Sequence, residues 1–422
     1  MKPDYKQTDV GVIPKEWEFS PLGALAQTSS GTTPARALQD RYYKNGKIGW
    51  VKTLDLRNTE LTATSECVTE LALKEAHLRI YPVGTVLVAM YGGFQQIGRT
   101  GLLRVPAAVN QAITAIQPKG EVLSSEYLLA TLNYRVGYWR NVASSSRKDP
   151  NISSQDIRNF PIAYPRPSEQ RAIAKALSDA DALLSALDRL IAKKRDVKQA
   201  AMQQLLSGQI RLPGFSGEWS VGSLASVIGA LEAGVSVNSV EDESSGLDGM
   251  LILKTSAVVG GRFIPHECKR IVASDLSRAR LNPRKGSIII SRMNTPELVG
   301  ECGYVDRDYP NLFVPDRLWM TRFKPDLHVS GQWLSYLLST VALKRQIEAA
   351  ATGTSGSMKN LSKRAFLKIP IALPSGPEQA AIAALLSDID AELATLEVRH
   401  DKTSALKQGM MQELLSGRTR LI

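Results

Sequence analysis

Apolar residues recur at alternating spacings of four and three along two long stretches of the chain. In the first stretch they are Ile173, Leu177, Ala180, Leu184, Leu187 and Ile191, and in the second they are Ile382, Leu386, Ile389, Leu393 and Leu396. This spacing is typical of a helix with one apolar stripe, as in a coiled coil. Neither glycine nor proline occurs between Pro167 and Gly208. The first stretch therefore predicts one uninterrupted helix of roughly 40 residues, about 60 Å long.

The two stretches are copies of one another. EQRAIAKALSDADALL begins at Glu169 and EQAAIAALLSDIDAEL begins at Glu378, and the match continues without a gap through LLSG to an Arg-Leu pair. Upstream the likeness is fainter, although Trp17 aligns with Trp219 and both are predicted to anchor a core. The chain therefore divides into a first domain at 1–165, a helix at 166–208, a second domain at 209–375 and a helix at 376–417.

A helix with an apolar stripe needs a surface to cover it. The other copy of the helix offers such a surface, and antiparallel pairing would place the two domains at opposite ends of the pair. The alternative is that each helix packs on its own domain.

The two domains are predicted to be mixed α/β domains of an α+β fold, related as a pseudo-two-fold internal repeat. Short apolar runs predict strands, including KIGWVKTL, GTVLVAMY and AITAIQP in the first domain and GMLILKTS, GSIIIS and LWMTRFKP in the second. One amphipathic helix is predicted after them, at 126–142 and at 331–350. A loop of small and basic residues follows, and a proline-flanked strand, FPIAYP or IPIALP, closes each domain.

The charge of the chain favours a polyanionic partner. Lys and Arg number 52 and Asp and Glu number 41, so the net charge is +11. Nucleic acid is the first candidate and an anionic membrane surface the second, while a basic but solvated surface is the alternative. The first residues lack the apolar core of a signal peptide, no apolar run approaches 20 residues, and three scattered cysteines make no disulfide framework. We therefore expect a cytoplasmic protein that does not bind membranes.

Sequence signatures of catalysis are missing. No G-x-x-x-x-G-K-[ST] loop, G-x-G-x-x-G turn or Asn-Pro-Pro-aromatic pattern occurs. His266 and Cys268 are two potential metal ligands without the further two that a zinc site needs. We expect no metal site and no catalytic residue, so the sequence indicates a protein that binds rather than catalyses.

These features together resemble the specificity subunit of Type I restriction-modification systems. The resemblance covers essentially the whole chain. It is carried by the paired EQ…LLSG helices, the IPKEW and FSGEW openings of the two domains, GTTP at 31–34 and NQAI at 110–113. In the second half PDRL, at 315–318, stands where NQAI is expected.

The resemblance implies two target-recognition domains, each reading one half of an asymmetric, bipartite double-stranded DNA sequence. The two helices would pair as an antiparallel coiled-coil spacer and would offer docking surfaces to two methyltransferase subunits. Those subunits would bring S-adenosylmethionine, and restriction subunits with motor and nuclease activity would bring ATP and Mg²⁺. The chain itself would be non-catalytic and hold no cofactor.

Polar and basic side chains in loops match the edges of bases and the oxygens of phosphates. We predict DNA contacts at matching places in the two domains. In the first domain the residues are Lys52, Gln95, Gln96, Arg99, Ser145, Arg147 and Lys148. In the second they are Lys254, Arg292, Asn294, Thr295, Ser355, Ser357 and Lys359. On the first long helix, DNA, a partner subunit and solvent all remain possible partners for Lys193, Lys194, Arg195 and Lys198.

Two other functions stay open at this point. One is a coiled-coil scaffold that reads no DNA and whose basic charge is incidental. The other is an autonomous DNA-modifying enzyme with an active site that lacks recognised motifs. Neutralising the loop cations tests the first alternative, and assaying the chain alone tests the second.

Overall fold

The structure of the protein is a computed structural model that describes residues 4–93, 95–143, 151–241, 249–353 and 358–421. The chain forms two compact units: the first consists of Met1–Asp188 and Val398–Ile422, and the second of Arg189–Glu397. Each long helix is therefore shared between the units. Within the described ranges, no helix combines the length and the apolar character needed to cross a membrane.

The first unit contains short strands, short helices and parts of the two long helices. Its strands are β1 (Tyr5–Thr8), β2 (Gly11–Pro14), β3 (Glu18–Pro21), β4 (Ala26–Ser30), β5 (Ile48–Val51), β6 (Thr59–Leu61), β7 (Cys67–Val68), β8 (Val86–Ala89), β9 (Thr100–Leu103), β10 (Ala108–Val109), β11 (Ile113–Pro118) and β12 (Pro161–Tyr164). Its helices are α1 (Leu22–Leu25), α2 (Gln39–Tyr42), α3 (Glu70–Glu75), α4 (Ser125–Tyr134), α5 (Gly137–Val142), α6 (Ser154–Arg158) and the first part of α7 (Pro167–Leu205).

Two sheets organise the first unit. The larger has the order β4-β11-β8-β9-β6, and the smaller has the order β10-β5-β7. Strand β8 (Val86–Ala89) is buried at every position, as its continuous apolar sequence predicts for a central strand. The closing strand β12 pairs antiparallel with β3, so it returns the chain to the opening of the domain.

The second unit repeats this plan with different strand lengths. Its strands are β13 (Ser220–Ser223), β14 (Ile228–Ala233), β15 (Ser239–Val240), β16 (Leu251–Leu253), β17 (Val258–Val259), β18 (Arg262–Phe263), β19 (Cys268–Ile271), β20 (Ile288–Ser291), β21 (Met293–Asn294), β22 (Cys302–Tyr304), β23 (Leu312–Phe313), β24 (Leu318–Phe323), β25 (Lys359–Asn360) and β26 (Pro370–Leu373). Its helices are the last part of α7, then α8 (Leu224–Val227), α9 (Gly331–Leu338), α10 (Val341–Ala350), α11 (Lys363–Leu367) and the first part of α12 (Gly376–Leu414).

The sheets of the second unit match those of the first strand by strand. The order β14-β24-β20-β22 corresponds to β4-β11-β8-β9, and β19-β16-β23 corresponds to β7-β5-β10. Strand β15 extends the smaller sheet of the second unit, and β6 extends the larger sheet of the first. The repeat that is faint in the sequence is therefore clear in the topology.

The single amphipathic helix predicted in each domain is wrong. The stretch 126–142 forms α4 and α5, and the stretch 331–350 forms α9 and α10. In the second unit, Ser339 and Thr340 donate hydroxyl hydrogen bonds to the carbonyls of Ser335 and Leu337. Thr340 also caps the next helix, because its side chain accepts from the backbone N–H of Leu343. Adjacent hydroxyl residues thus end one helix and start another.

The long helices complete the cores of both units. In the first unit Ile173 and Leu177 of α7 are buried in the same core as Leu414, which ends α12. In the second unit Ile382 and Leu386 of α12 are buried with Leu205, which ends α7. Of the other predicted stripe residues, three are buried (Leu187, Ile191 and Leu393) and four are half-buried (Ala180, Leu184, Ile389 and Leu396).

Ion pairs join the two long helices within each unit. In the first unit Lys407 pairs with Asp181, and His400 lies 3.3 Å from Asp188. In the second unit Lys194 pairs with Glu392, Arg195 with Glu397 at 2.6 Å and Lys198 with Asp390 at 2.6 Å. Three of the four helix cations are therefore paired with carboxylates of the same chain, and the Arg195 side chain remains 62% exposed in its pair.

Candidate nucleic-acid interface

In the first unit, three loops meet at the end of the central strand β8. The next residue, Met90, donates its N–H to the carbonyl of Ala112 at 2.8 Å, and its carbonyl accepts from Ile152 at 3.1 Å. Ala112 belongs to NQAI, and Ile152 belongs to the segment that precedes α6. Two backbone hydrogen bonds thus join segments that lie far apart in the sequence.

The second unit makes the same two bonds with different side chains. After strand β20, the N–H of Arg292 donates to the carbonyl of Arg317 at 3.1 Å, and the carbonyl of Arg292 accepts from Leu361 at 2.8 Å. Arg317 belongs to PDRL, so PDRL stands in the place of NQAI. Strands β21 and β25 add a further contact, because Asn294 is the register partner of Lys359. Asn294 and Lys359, two of the residues predicted to bind DNA, therefore lie side by side.

The GTTP segment lies against the NQAI loop. A Cβ at Gly31 would lie 1.9 Å from the carbonyl oxygen of Val109, so this position admits only glycine. Thr32 donates its N–H to the same carbonyl at 3.1 Å, and the hydroxyl of Thr33 bonds the side chain of Gln111. In the second unit a Cβ at Gly234 would lie 1.5 Å from the Val314 carbonyl oxygen, which is the corresponding close approach.

Lys52 lies in a charged cluster at the end of strand β5. Its Nζ is 3.0 Å from Glu66, whose other partner is the guanidinium of Arg36 at 2.5 and 3.0 Å. Arg36 also lies over the rings of Tyr43 and Trp50. Hydrogen bonds from Arg36, and then from Lys52, lower the pKa of Glu66 to about 2. The carboxylate therefore stays charged at all physiological pH values and neutralises part of the cluster.

Lys254, the aligned residue of the second unit, is also bound to a carboxylate. Its Nζ lies 2.8 Å from Glu241, and Lys269 lies 2.8 Å from the other oxygen of the same side chain. These two lysines lower the pKa of Glu241, the hydrogen bond from Lys254 being the larger cause. Glu66 and Glu241 come from different loops. Each is nevertheless the single anion in a cluster with two basic side chains, and each cluster lies at the end of the central strand of the smaller sheet.

Gln95, Gln96 and Arg99 lie in the loop between β8 and β9. The Arg99 Nε donates to the backbone carbonyl of Gln95 at 2.9 Å, so part of its hydrogen-bonding capacity is used inside the loop. The preceding glycines, Gly92 and Gly93, have φ of 118° and 79°. Gly93 is needed for the turn alone, since a Cβ there would meet no atom within 4 Å, whereas a Cβ at Gly92 would also lie 2.2 Å from the side-chain oxygen of Gln96.

Five predicted contact residues lie outside the described residues: Ser145, Arg147, Lys148, Ser355 and Ser357. In the second domain Thr295 is exposed and Lys359 is half-buried. Asn294 bonds within its own turn, because its amide donates to Ser291 at 3.2 Å and its oxygen accepts the N–H of Thr295 at 2.9 Å. Arg292 is half-buried at the junction of the loops.

Sequence reasoning missed Arg36, Gln111 and Arg317. Arg36 directly follows GTTP and an alanine, but its partner Glu66 is distant in the chain, so no local pattern joins them. Gln111 and Arg317 lie inside NQAI and PDRL, whose sequences alone do not indicate which of their residues bond to neighbouring segments. Across the residues with described positions, no group of three or more His, Cys, Asp and Glu side chains has the arrangement of a metal site.

The chain is similar to known specificity subunits. It is 32% identical to the MjaIX specificity subunit of Methanocaldococcus jannaschii over 186 residues, which are 43% of this chain and 41% of that relative. It is 22% identical to the EcoR124I/EcoR124II specificity subunit of Escherichia coli over 44% of this chain and 46% of that protein. The chain thus spans less than half the length of these two curated relatives. A third relative, the MjaVIII specificity subunit of M. jannaschii, is 21% identical over 97% of this chain and 94% of its own length.

Solved structures share the fold. The crystal structure of the S subunit of a Type I restriction-modification system from M. genitalium covers 98% of this chain and 99% of its own, with a TM-score of 0.61 at 15% identity. A chain from a study of Type I complex assembly and conformational transition covers 96% of this chain and 99% of its own, with a TM-score of 0.56 at 16% identity.

The family model described as the Type I restriction modification DNA specificity domain matches residues 14–194 and 272–403. Because those matches take in most of the chain and fall in both halves of its repeat, this protein belongs to the Type I restriction-modification DNA specificity domain family.

Proposed function

We propose that this chain is the DNA-reading subunit of a Type I restriction-modification complex and that each unit reads one block of a bipartite DNA sequence. One observation carries the proposal: both units make the same backbone bonds at the end of the central strand, whereas the residues that make these bonds differ. Met90 in the first unit corresponds to Arg292 in the second, and NQAI corresponds to PDRL. The same backbone arrangement carrying different residues is what two domains need in order to recognise two different half-sites.

The long helices would set the spacing between the two blocks. Helix α7 has 39 residues and α12 has 39 residues, so each is about 58 Å long, more than one turn of DNA at roughly 34 Å. We propose that they pair as an antiparallel coiled coil. The ion pairs support this arrangement within each unit. In the first unit Asp181 pairs with Lys407 and Asp188 lies against His400, and in the second Lys194 pairs with Glu392 and Lys198 with Asp390. Residue numbers therefore fall along one helix as they rise along the other.

The chemistry would belong to partner subunits. Two methyltransferase subunits would dock on the helices and bring S-adenosylmethionine, and restriction subunits would bring the ATP- and Mg²⁺-dependent cutting of DNA. The present chain would contribute sequence choice and a frame for assembly.

A map of methylated adenines tests the proposed function. Host DNA is sequenced from cells that carry the methyltransferase subunit with and without this chain. The proposal predicts a methylated motif of two short specified blocks around a fixed unspecified gap, present only with the chain. A motif that persists without the chain would contradict the proposal.

Charge-neutral variants then separate DNA reading from scaffolding. Arg147→Gln, Lys148→Gln and Lys359→Gln should weaken binding of the assembled complex to its DNA target and leave its assembly with the methyltransferase subunit unchanged. Lys74→Gln is a matched control, because Lys74 is exposed on α3, outside the long helices and the predicted contact residues. Unchanged DNA binding by the loop variants would favour the scaffold function.

A further inference from the structure

The guanidinium of Arg292 lies next to the Trp319 ring, where the described segments of the second unit meet. Its backbone is bonded to Arg317 and Leu361 on either side. Among the described residues, its Nε is a buried donor that makes no hydrogen bond. Leaving a buried donor of a charged group unpaired is costly, so such a group in a native protein calls for a specific explanation.

The position of the guanidinium is set by Trp319. The Arg292 Cζ lies 5.9 Å from the centroid of this indole ring, which is itself 1% exposed. Trp319 belongs to strand β24 and pairs in register with Ile290 of strand β20, two residues before Arg292. A central strand of the sheet therefore supplies a rigid surface for the arginine side chain. Contact with an aromatic face restricts a guanidinium without using its N–H donors, and the terminal Nη groups are the ones proposed to act as donors to DNA.

We propose that Arg292 is a specificity-determining residue that recognises the O6 and N7 edge of a guanine in the block read by the second unit. This inference rests on the proposed function. Guanine displays two adjacent acceptors in the major groove, and the planar fork of arginine donates to both at once. Lysine is a point charge without this fork, so it cannot replace arginine here.

The first unit lacks the corresponding site. Met90 makes the same backbone bonds, but it is only 4% exposed, and its sulfur accepts a hydrogen bond from the hydroxyl of Thr114 at 2.9 Å. It therefore fills the core instead of reaching outward. An arginine at this position can therefore contact guanine in only one block of the target. This difference contributes to the asymmetry between the two blocks.

The experiment uses the complex of this chain with its methyltransferase subunit and duplexes that carry the mapped motif. Each guanine of the second unit's block is replaced in turn by 7-deazaguanine, which removes N7 and keeps Watson–Crick pairing. The wild-type complex should bind the duplex about ten-fold more weakly when the guanine contacted by Arg292 is the one replaced, and not when any other guanine is replaced. Arg292→Lys keeps the charge and Arg292→Met keeps the packing on Trp319. Both should bind the unmodified duplex about ten-fold or more weakly and lose nothing further with 7-deazaguanine.

Controls separate recognition from damage. Arg345→Lys and Arg345→Met make the same changes on the exposed face of α10 and should retain wild-type affinity and sensitivity to 7-deazaguanine. Thermal unfolding and assembly with the methyltransferase subunit should match wild type for Arg292→Lys. In the methylation map, the Arg292 variants should relax one position of one block.

Three results would overturn the inference and leave the proposed function intact. The first is a second block without guanine. The second is an equal 7-deazaguanine effect in wild type and in Arg292→Lys. The third is a uniform loss of affinity by the variants with no relaxed position, which would indicate a phosphate contact or a packing role. Absence of any bipartite motif with the wild-type chain would instead refute the proposed function.

Discussion

The end of helix α12 is predicted to be held in place by a buried ion pair. Arg420, six residues beyond the helix, donates through Nε and Nη2 to the two oxygens of Glu169 at 2.6 and 2.7 Å. Glu169 lies in the first turn of α7. This carboxylate raises the pKa of the Arg420 guanidinium. In the second unit, Arg211 and Glu378 form the corresponding pair at 2.5 and 2.7 Å.

Arg420→Met removes the guanidinium and leaves a carboxylate that is only 6% exposed. Breaking a fully buried pair costs about 3–5 kcal/mol because the remaining charge is unpaired. The Arg420 side chain is 15% exposed, so water can partly take the place of the guanidinium, and we take the lower limit, about 3 kcal/mol. For a unit of this size, that lowers the midpoint of thermal unfolding by about 6–12 °C.

Scanning calorimetry of the whole chain measures this effect on the transition of the first unit. Lys175→Met is the matched control, because its pair with Asp179 is exposed, at 75% and 66% of the two side chains, and should shift the midpoint by less than about 2 °C. The double variant Arg420→Met/Glu169→Leu should recover much of the loss, since no charge is left buried. A shift for Arg420→Met no larger than that of the control would show that the ion pair does not hold the helix end in solution.

Three further predictions follow from the geometry of the units. Glu66 has a folded-state pKa of about 2, below its ordinary value. Its stabilising effect should therefore be fully present above about pH 4.5 and disappear as the pH falls toward 2. The difference in unfolding free energy between wild type and Glu66→Gln should shrink over the same range. Gly31→Ala should lower the unfolding midpoint and weaken DNA binding by the complex, whereas Gly120→Ala should do neither, because its added methyl group would meet no atom within 4 Å. Burial raises the pKa of the Cys302 thiol to about 11, so mass spectrometry after alkylation at pH 8 should find it modified much more slowly than the half-buried Cys67; equal rates would show that the core opens readily.

The helices and the strands were predictable because their signals are local. Spacings of three and four placed α7 and α12 correctly, and apolar runs coincided with β8, β11, β20 and β24. The splitting of the amphipathic helices was missed because Ser339 and Thr340 are compatible with a helix interior in isolation. Only their bonds to preceding carbonyls, and the cap that Thr340 forms, show that the helix ends there.

The candidate interface was predictable in part. Aligning the two halves placed Lys52 with Lys254 and identified the loops after β8 and β20. The convergence of Met90 with Ala112 and Ile152 was not predictable, since backbone bonds between distant segments leave no mark on side-chain patterns. The carboxylate partners of the two lysines were also missed, because they come from unrelated loops in the two units.

The central claim is that the two domains each recognise one block of the DNA target independently. Exchange of one recognition domain tests this claim most directly. Residues 1–165 are replaced by the corresponding domain of another specificity subunit with a known target, and adenine methylation is mapped in cells that carry the same methyltransferase subunit. The account predicts that one block of the motif changes, while the other block and the unspecified gap between them stay as they were. A change in both blocks, or in the gap, would contradict it.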